Sequence, residues 1–161
     1  MIRKATAEDV PAILSIVNHA ILYTTANYLY EAQTLADQQK WWNDKQTKNF
    51  PVLVAEENNQ VIGFASYGTF REKIGYRFTV EHSVYVAPEW IGKGIGSKLL
   101  TALIELAKSE GYHTMIGGID AENEYSIAFH EKFGFTKVGL IKQAAFKFDR
   151  WLDLQFVQLM L

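Results

Sequence analysis

Between Val84 and Ala107 a β-branched run, a proline, three glycines at alternate positions and an apolar stripe follow one another without interruption. Val84-Tyr85-Val86-Ala87 reads as a strand that ends at Pro88, because proline has no N–H for a ladder and restricts the residue before it. Leu99, Leu103, Leu106 and Ala107 then recur at helical spacing. Strand, glycine loop and helix in that order point to an α/β layer arrangement. Gly92, Gly94 and Gly96 at the junction admit two uses. One is a tight connection; the other is a phosphate cradle, in which successive N–H groups point at one spot and a helix N-terminus adds partial positive charge. The spacing G-x-G-x-G differs from the dinucleotide pattern G-x-G-x-x-G, and the Gly-Lys-Ser/Thr ending of a P-loop is absent.

The remaining elements follow from similar signals. Ile2 to Ala5 reads as a strand, Thr6-Ala7-Glu8-Asp9 as a capped helix start, and Val10, Ile13, Leu14, Val17 and Ile21 as one apolar helix face. A second helix starts at Thr34 and carries Leu35, Trp41 and Trp42. Val52 to Ala55 and Val61 to Ala65 form a hairpin around Glu57-Asn58-Asn59-Gln60. Phe78 to Ala87 is β-rich, His113 to Ile119 is a strand, and Asn123 to Phe133 is a helix stopped by Gly134. Strands around Thr136 to Lys147 and Leu152 to Leu161 complete the order β α α β β β α β α β β. No linker or repeat interrupts it, so the expectation is one α/β domain over residues 1–161, with a single mixed, mostly antiparallel sheet flanked by helices.

Composition narrows the chemistry. The chain of 161 residues has no cysteine, which excludes disulfides, thiolate metal sites and a cysteine nucleophile. Its formal net charge is −2 with basic residues scattered, so it lacks the electrostatic footprint of a nucleic-acid or anionic-membrane partner. No apolar run reaches bilayer length, and the N-terminus has no leader-like pattern, which predicts a cytoplasmic protein. No metal-ligand spacing links the four histidines. A small-molecule partner is the expectation that remains.

A second segment, Asn123-Glu124-Tyr125-Ser126-Ile127-Ala128-Phe129-His130-Glu131-Lys132-Phe133-Gly134-Phe135, joins the glycine loop. Together they resemble the acetyl-CoA signature of the GCN5-related N-acetyltransferases (GNAT superfamily). Within that superfamily the chain is similar to the phosphinothricin and methionine sulfoximine N-acetyltransferases. That likeness is carried by Thr24-Thr25-Ala26 with Tyr28, by Tyr76-Arg77 ahead of Thr79-Val80-Glu81-His82-Ser83-Val84-Tyr85-Val86, and by Lys147-Phe148-Asp149-Arg150-Trp151-Leu152-Asp153. The resemblance implies the GNAT fold and acetyl-CoA as co-substrate. It puts the pyrophosphate on Gly92, Lys93, Gly94, Ile95, Gly96 and Ser97, the pantetheine beside Val84, Tyr85 and Val86, and further cofactor contacts at Asn123 and Ser126. Ile91 stands where the family usually carries Gln or Arg, leaving the phosphate to backbone donors, and Asn27-Tyr28 replaces the group's usual Thr-Phe.

Transfer to an amine needs a base, since an ammonium must lose a proton before it attacks a thioester carbonyl. Glu81 is the candidate base, with a solvated strand carboxylate as the alternative. His130 stands where the wider superfamily has a tyrosine general acid, and helix packing is its alternative. Tyr28 is a candidate wall of the acceptor pocket. Arg71 and Arg77 are candidate partners for an acceptor carboxylate, Arg77 being favoured by the resemblance. His19, His82 and His113 read as structural or surface residues, and Trp41, Trp42 and Trp151 as core or interface. The predicted activity is acetylation of the α-amine of an amino-acid-like compound such as methionine sulfoximine, methionine sulfone or phosphinothricin. Its competitors are a protein N-terminal acetyltransferase and a non-catalytic acyl-CoA sensor. Relatives of the group are commonly dimers, so a homodimer is expected.

Overall fold

The computed structural model describes every residue from Met1 to Leu161. Its elements run β1 (Ile2–Lys4), α1 (Val10–Tyr23), α2 (Leu35–Thr47), β2 (Val52–Glu57), β3 (Gln60–Thr69), β4 (Thr79–Val86), α3 (Ile95–Ser109), β5 (Thr114–Asp120), α4 (Glu124–Glu131), β6 (Thr136–Lys147) and β7 (Arg150–Met160), with short 3-10 turns at Ala7–Asp9, Ile74–Tyr76 and Pro88–Trp90. The seven strands form one sheet in the order β1-β2-β3-β4-β5-β7-β6. Only β4 and β5 are parallel; every other neighbouring pair is antiparallel. No helix is long and apolar enough to cross a membrane.

Local chemistry accounts for the boundaries. Thr34 caps α2 reciprocally: its hydroxyl accepts from the Asp37 N–H at 3.2 Å, while the Asp37 carboxylate accepts from the Thr34 N–H at 2.9 Å. The Asn123 side chain caps α4 by accepting from the Ser126 N–H at 3.0 Å. Asn58 and Asn59, with φ of 49° and 62°, make the two-residue turn between β2 and β3. Phe148 and Asp149 make the corresponding turn between β6 and β7. Both turns suit the right-handed twist of a hairpin.

The sheet is buried on both faces. Leu53, Ala65, Tyr67, Val80 and Met115 pack with Leu99, Leu103 and Phe135 in one apolar cluster. Their neighbours Val52, Val54 and Phe64 join Ile13, Val17, Ile21 and Trp42 in the other. Side chains alternate across a strand, so a strand covered on both sides has no polar positions. This explains the unbroken run Val52-Leu53-Val54-Ala55. By contrast β6 is a sheet edge, and Val138, Leu140 and Ile141 on it are exposed.

Lys147, at the end of β6, is buried at 3% exposure. Its ammonium donates to the main-chain carbonyls of Ile21 at 2.6 Å and Thr24 at 2.8 Å, and to that of Asn27. All three hydrogens of the ammonium are used, two on carbonyls at the end of α1 that have no helical partner and one on the Asn27 carbonyl in the loop beyond. The loop after α1 is thereby pinned to the far end of the sheet. Lys147→Met should lower stability by about 3 kcal/mol, because one buried and two partly buried acceptors lose their donor. A lower urea midpoint with an unchanged slope is the expected reading.

Candidate active site

The two parallel strands pair only from Thr79 opposite Thr114 to Glu81 opposite Ile116. Beyond that point β4 stays registered with β3 as far as Val86, and β5 with β7 as far as Asp120, so the sheet opens into a wedge. The Ala87 N–H donates to the Ile62 carbonyl at 2.9 Å, which sets the alternation along β4. Ser83 and Tyr85 therefore bond toward β3, while Val84 and Val86 turn their main-chain N–H and C=O groups to the gap. An extended amide-bearing chain can pair with that free edge.

The wedge widens into a cleft of about 680 Å³ lined by β4, β5, the glycine loop, α4 and the loop after α1. Gly92 and Gly94 have φ of +81° and +78°, and Gly94 is the N-cap of α3. This left-handed backbone is open to glycine at little cost and turns the first N–H groups of α3 to the cleft mouth, where they have no helical acceptor. A 15-residue helix behind them adds its positive end. The arrangement suits a pyrophosphate.

Among the residues singled out from sequence, Glu81, Val84, Tyr85, Val86, Gly92, Gly94, Ile95, Gly96, Ser97, Asn123, Ser126 and His130 all line this one cleft. Lys93, Tyr28, Arg71 and Arg77 do not. The Lys93 ammonium lies over the Trp90 ring at 4.6 Å. Arg77 is exposed, with its guanidinium 4.4 Å from the ring centre of Phe78. Arg71 is also exposed, yet its charge acts on Glu81. The Tyr28 hydroxyl is buried without a hydrogen-bond partner, and burial together with the charge of Asp120 raises its pKa.

Burial pushes the Glu81 carboxyl above the ordinary carboxylate value, and Arg71 opposes that rise. Burial pulls the His130 imidazole below the ordinary histidine value, against a hydrogen bond to the Ser126 carbonyl that raises it. Both groups thus move toward their uncharged forms in one desolvated crevice, which suits proton exchange near neutrality.

Three features of the site were not read from the sequence. His82 is buried beside the cleft and touches His130, and is not a detached structural or surface group. Asp120, buried at the end of β5, accepts from the Thr25 hydroxyl at 2.6 Å. The Tyr85 hydroxyl donates to the Ala26 carbonyl at 3.3 Å, so the loop after α1 bridges the two diverging strands. No spacing rule links these positions, which lie 48 to 95 residues apart in sequence.

A family model for the acetyltransferase (GNAT) family matches residues 14–135. The L-methionine sulfoximine/L-methionine sulfone acetyltransferase of Salmonella typhimurium is 46% identical over 160 residues, covering 99% of this chain and 94% of its own. A ribosomal-protein-alanine N-acetyltransferase from Brucella melitensis has a solved structure that superposes with a TM-score of 0.98 at 46% identity, covering 100% of this chain and 99% of its own. A Salmonella typhimurium structure described as a putative acetyltransferase with its cofactor acetyl-CoA superposes with a TM-score of 0.96 at 45% identity, over 99% of this chain and 92% of its own.

The glycine loop separates two costs of substitution. A Cβ at Gly94 meets nothing within 4 Å, so valine there is opposed by backbone conformation and by bulk at the mouth, not by a clash with the core. Gly94→Val should weaken coenzyme A binding at least tenfold, the equivalent of about 1.4 kcal/mol, since a β-branched residue resists positive φ. Calorimetric titration of the folded variant checks it, with unchanged affinity counting against the loop as the pyrophosphate site.

Proposed function

The chain belongs to the acetyltransferase (GNAT) family, and we propose that it transfers the acetyl group of acetyl-CoA to the α-amine of a small amino acid with an oxidised polar side chain, such as methionine sulfoximine, methionine sulfone or phosphinothricin. The observation that carries this reading is the pairing of a free strand edge with a half-buried carboxylate and an imidazole on the walls of one cleft. The free edge of β4 binds the pantetheine arm, the N-terminus of α3 binds the pyrophosphate, and Asn123 and Ser126 add contacts from α4. Glu81 takes the proton from the acceptor ammonium, directly or through water. The freed amine nitrogen attacks the thioester carbonyl, the C–S bond breaks, and His130 supplies the proton that the thiolate needs. Arg71, whose charge reaches Glu81, is the better placed arginine for the acceptor carboxylate, and Tyr28, in the loop after α1, has its hydroxyl buried under the influence of Asp120.

The relative named for ribosomal-protein alanine favours one competitor, acetylation of a protein N-terminus. A peptide acceptor has no free carboxylate beside its reacting amine, so the two readings separate on that group. Free-thiol release should be strong with methionine sulfoximine and weak with its decarboxylated amine and with an alanyl peptide. Equal rates with the decarboxylated amine would remove the carboxylate contact, and a preference for the peptide would favour the N-terminal reading.

The same proposal includes a cytoplasmic homodimer. Val138, Leu140 and Ile141 on β6 and Trp151 on β7 leave an apolar surface exposed at one edge of the sheet, of the kind a second copy covers. Sedimentation should give twice the chain mass, and Trp151→Glu should shift it toward the monomer.

Two kinetic outcomes test the roles. Glu81→Gln should reduce turnover about a hundredfold with the Michaelis constant for acetyl-CoA nearly unchanged, a defect that shrinks at high pH where solvent deprotonates the amine. Because burial raises the Glu81 pKa, the wild-type rate should fall with acidification through a midpoint above the ordinary glutamate value. Arg71→Lys keeps the charge and removes the bidentate fork, so the Michaelis constant for the amino acid should rise several-fold more than that for acetyl-CoA.

A further inference from the structure

His82 and His130 meet in the cleft wall, with Nε2 of one 2.9 Å from Nε2 of the other. Their remaining nitrogens are each held by a main-chain carbonyl: His82 Nδ1 lies 2.9 Å from the Ile116 oxygen, and His130 Nδ1 lies 2.7 Å from the Ser126 oxygen. A carbonyl oxygen only accepts, so each Nδ1 carries a hydrogen. Each Nε2 would then present a lone pair to the other, and that contact becomes a bond only when one hydrogen lies between them. All three contacts are satisfied together by three hydrogens on four nitrogens, a single positive charge over two rings. A neutral pair has two hydrogens and must leave one contact repulsive.

We propose that His82 and His130 act as one acid that shares a single transferable proton between their Nε2 atoms, with His82 as a positioning residue that sets how firmly His130 holds it. The packing is arranged around the pair. A Cβ on Gly117 would lie 2.8 Å from His82 Cε1, so only glycine leaves the ring its place. Phe135 packs on both rings with centroids 5.2 Å away, and Phe129 lies edge-on to His130 at 5.2 Å.

No charged group competes for that proton. On β4, Glu81 projects to the opposite face from His82. On β5, Asp120 is engaged by Thr25 and Arg150. On α4, Glu131 lies against Lys137 at 4.0 Å, while Glu124 and Lys132 are exposed, as is Lys98 on α3. Burial lowers the proton affinity of both rings, and the charge of His130 lowers that of His82 further, so the pair excludes a second extra proton.

In the acetyl-transfer reading, on which this inference rests for its role, the thioester C–S bond breaks with the electron pair on sulfur. The shared proton moves to sulfur and leaves a neutral pair with one unsatisfied contact. The pair regains a proton from solvent, where the two protons lost by the acceptor ammonium also go, so each turnover releases one proton.

The test is 15N NMR of the histidine-labelled protein across pH, together with the pH profile of turnover. Both Nδ1 atoms should remain protonated, and the two Nε2 atoms should titrate with one common midpoint. His82→Leu removes the acceptor for the His130 Nε2 hydrogen, so the His130 midpoint should fall by about one pH unit, a tenfold loss of the protonated form above it. A group needed in its protonated form is lost as pH rises through its pKa, so the alkaline limb of kcat should move down with it, while the Michaelis constant for acetyl-CoA stays within about twofold. His82→Gln keeps an acceptor near Nε2 and should restore much of the shift. Separate midpoints in the wild type, or a His130 midpoint unmoved in the folded leucine variant, overturn the proposal. A common midpoint in a protein that acetylates no amine would overturn the acetyl-transfer reading and leave the shared proton standing.

Discussion

Past Glu81 and Ile116 the two parallel strands at the centre of the sheet stop pairing, and a sheet interior cannot leave main-chain donors and acceptors bare without a cost. The Ile116 carbonyl, at the last pair of that ladder, also lies 2.9 Å from Nδ1 of His82. Beyond that pair the strands diverge. Everything chemical in the molecule follows from that divergence. It frees the edge of β4 for an extended ligand, opens a path to Glu81 and His130 from two sides, and leaves the N-terminus of α3 at the mouth.

A gap in the middle of a sheet weakens the fold unless its walls are held from elsewhere. On one side β4 is registered with β3 along seven residue pairs, from Gly63 opposite Val86 to Thr69 opposite Val80. On the other side β5 is registered with β7 over its whole length. Two apolar clusters brace the sheet, with Leu99 and Leu103 on one face and Ile13 and Ile21 on the other. The loop after α1 crosses the gap through Tyr85 and Asp120 and is held by Lys147. The walls are rigid because their partners lie outside the gap, which is what a site needs to hold reactants within a fraction of an ångström.

The same desolvation that endangers the fold arranges the proton chemistry. Burial disfavours charge whatever its sign, so it raises the carboxylic acid and lowers the imidazole. Glu81 and His130 are thereby brought toward one another in proton affinity from opposite sides. Arg71 limits the first shift and the Ser126 carbonyl limits the second. Neither residue type is unusual in its sequence surroundings; their chemistry comes from the crevice.

Local patterns in the sequence determined a great deal. The order of eleven helices and strands, the helix starts at Thr34 and Asn123 and the glycine junction all rest on interactions between residues a few positions apart, and those are written in spacing; the mixed sheet was inferred from that order. Glu81, His130 and the glycine loop could be named because each belongs to a contiguous motif. The divergence of β4 from β5, the meeting of His82 with His130 across 48 residues, the bridge from Thr25 to Asp120 and the burial of Lys147 under the loop after α1 were decided only by the tertiary structure. The reason is physical: a histidine on a strand reads the same whether it faces solvent or another imidazole. What it faces depends on how the sheet twists and which helix covers it, and no periodicity within β4 encodes that.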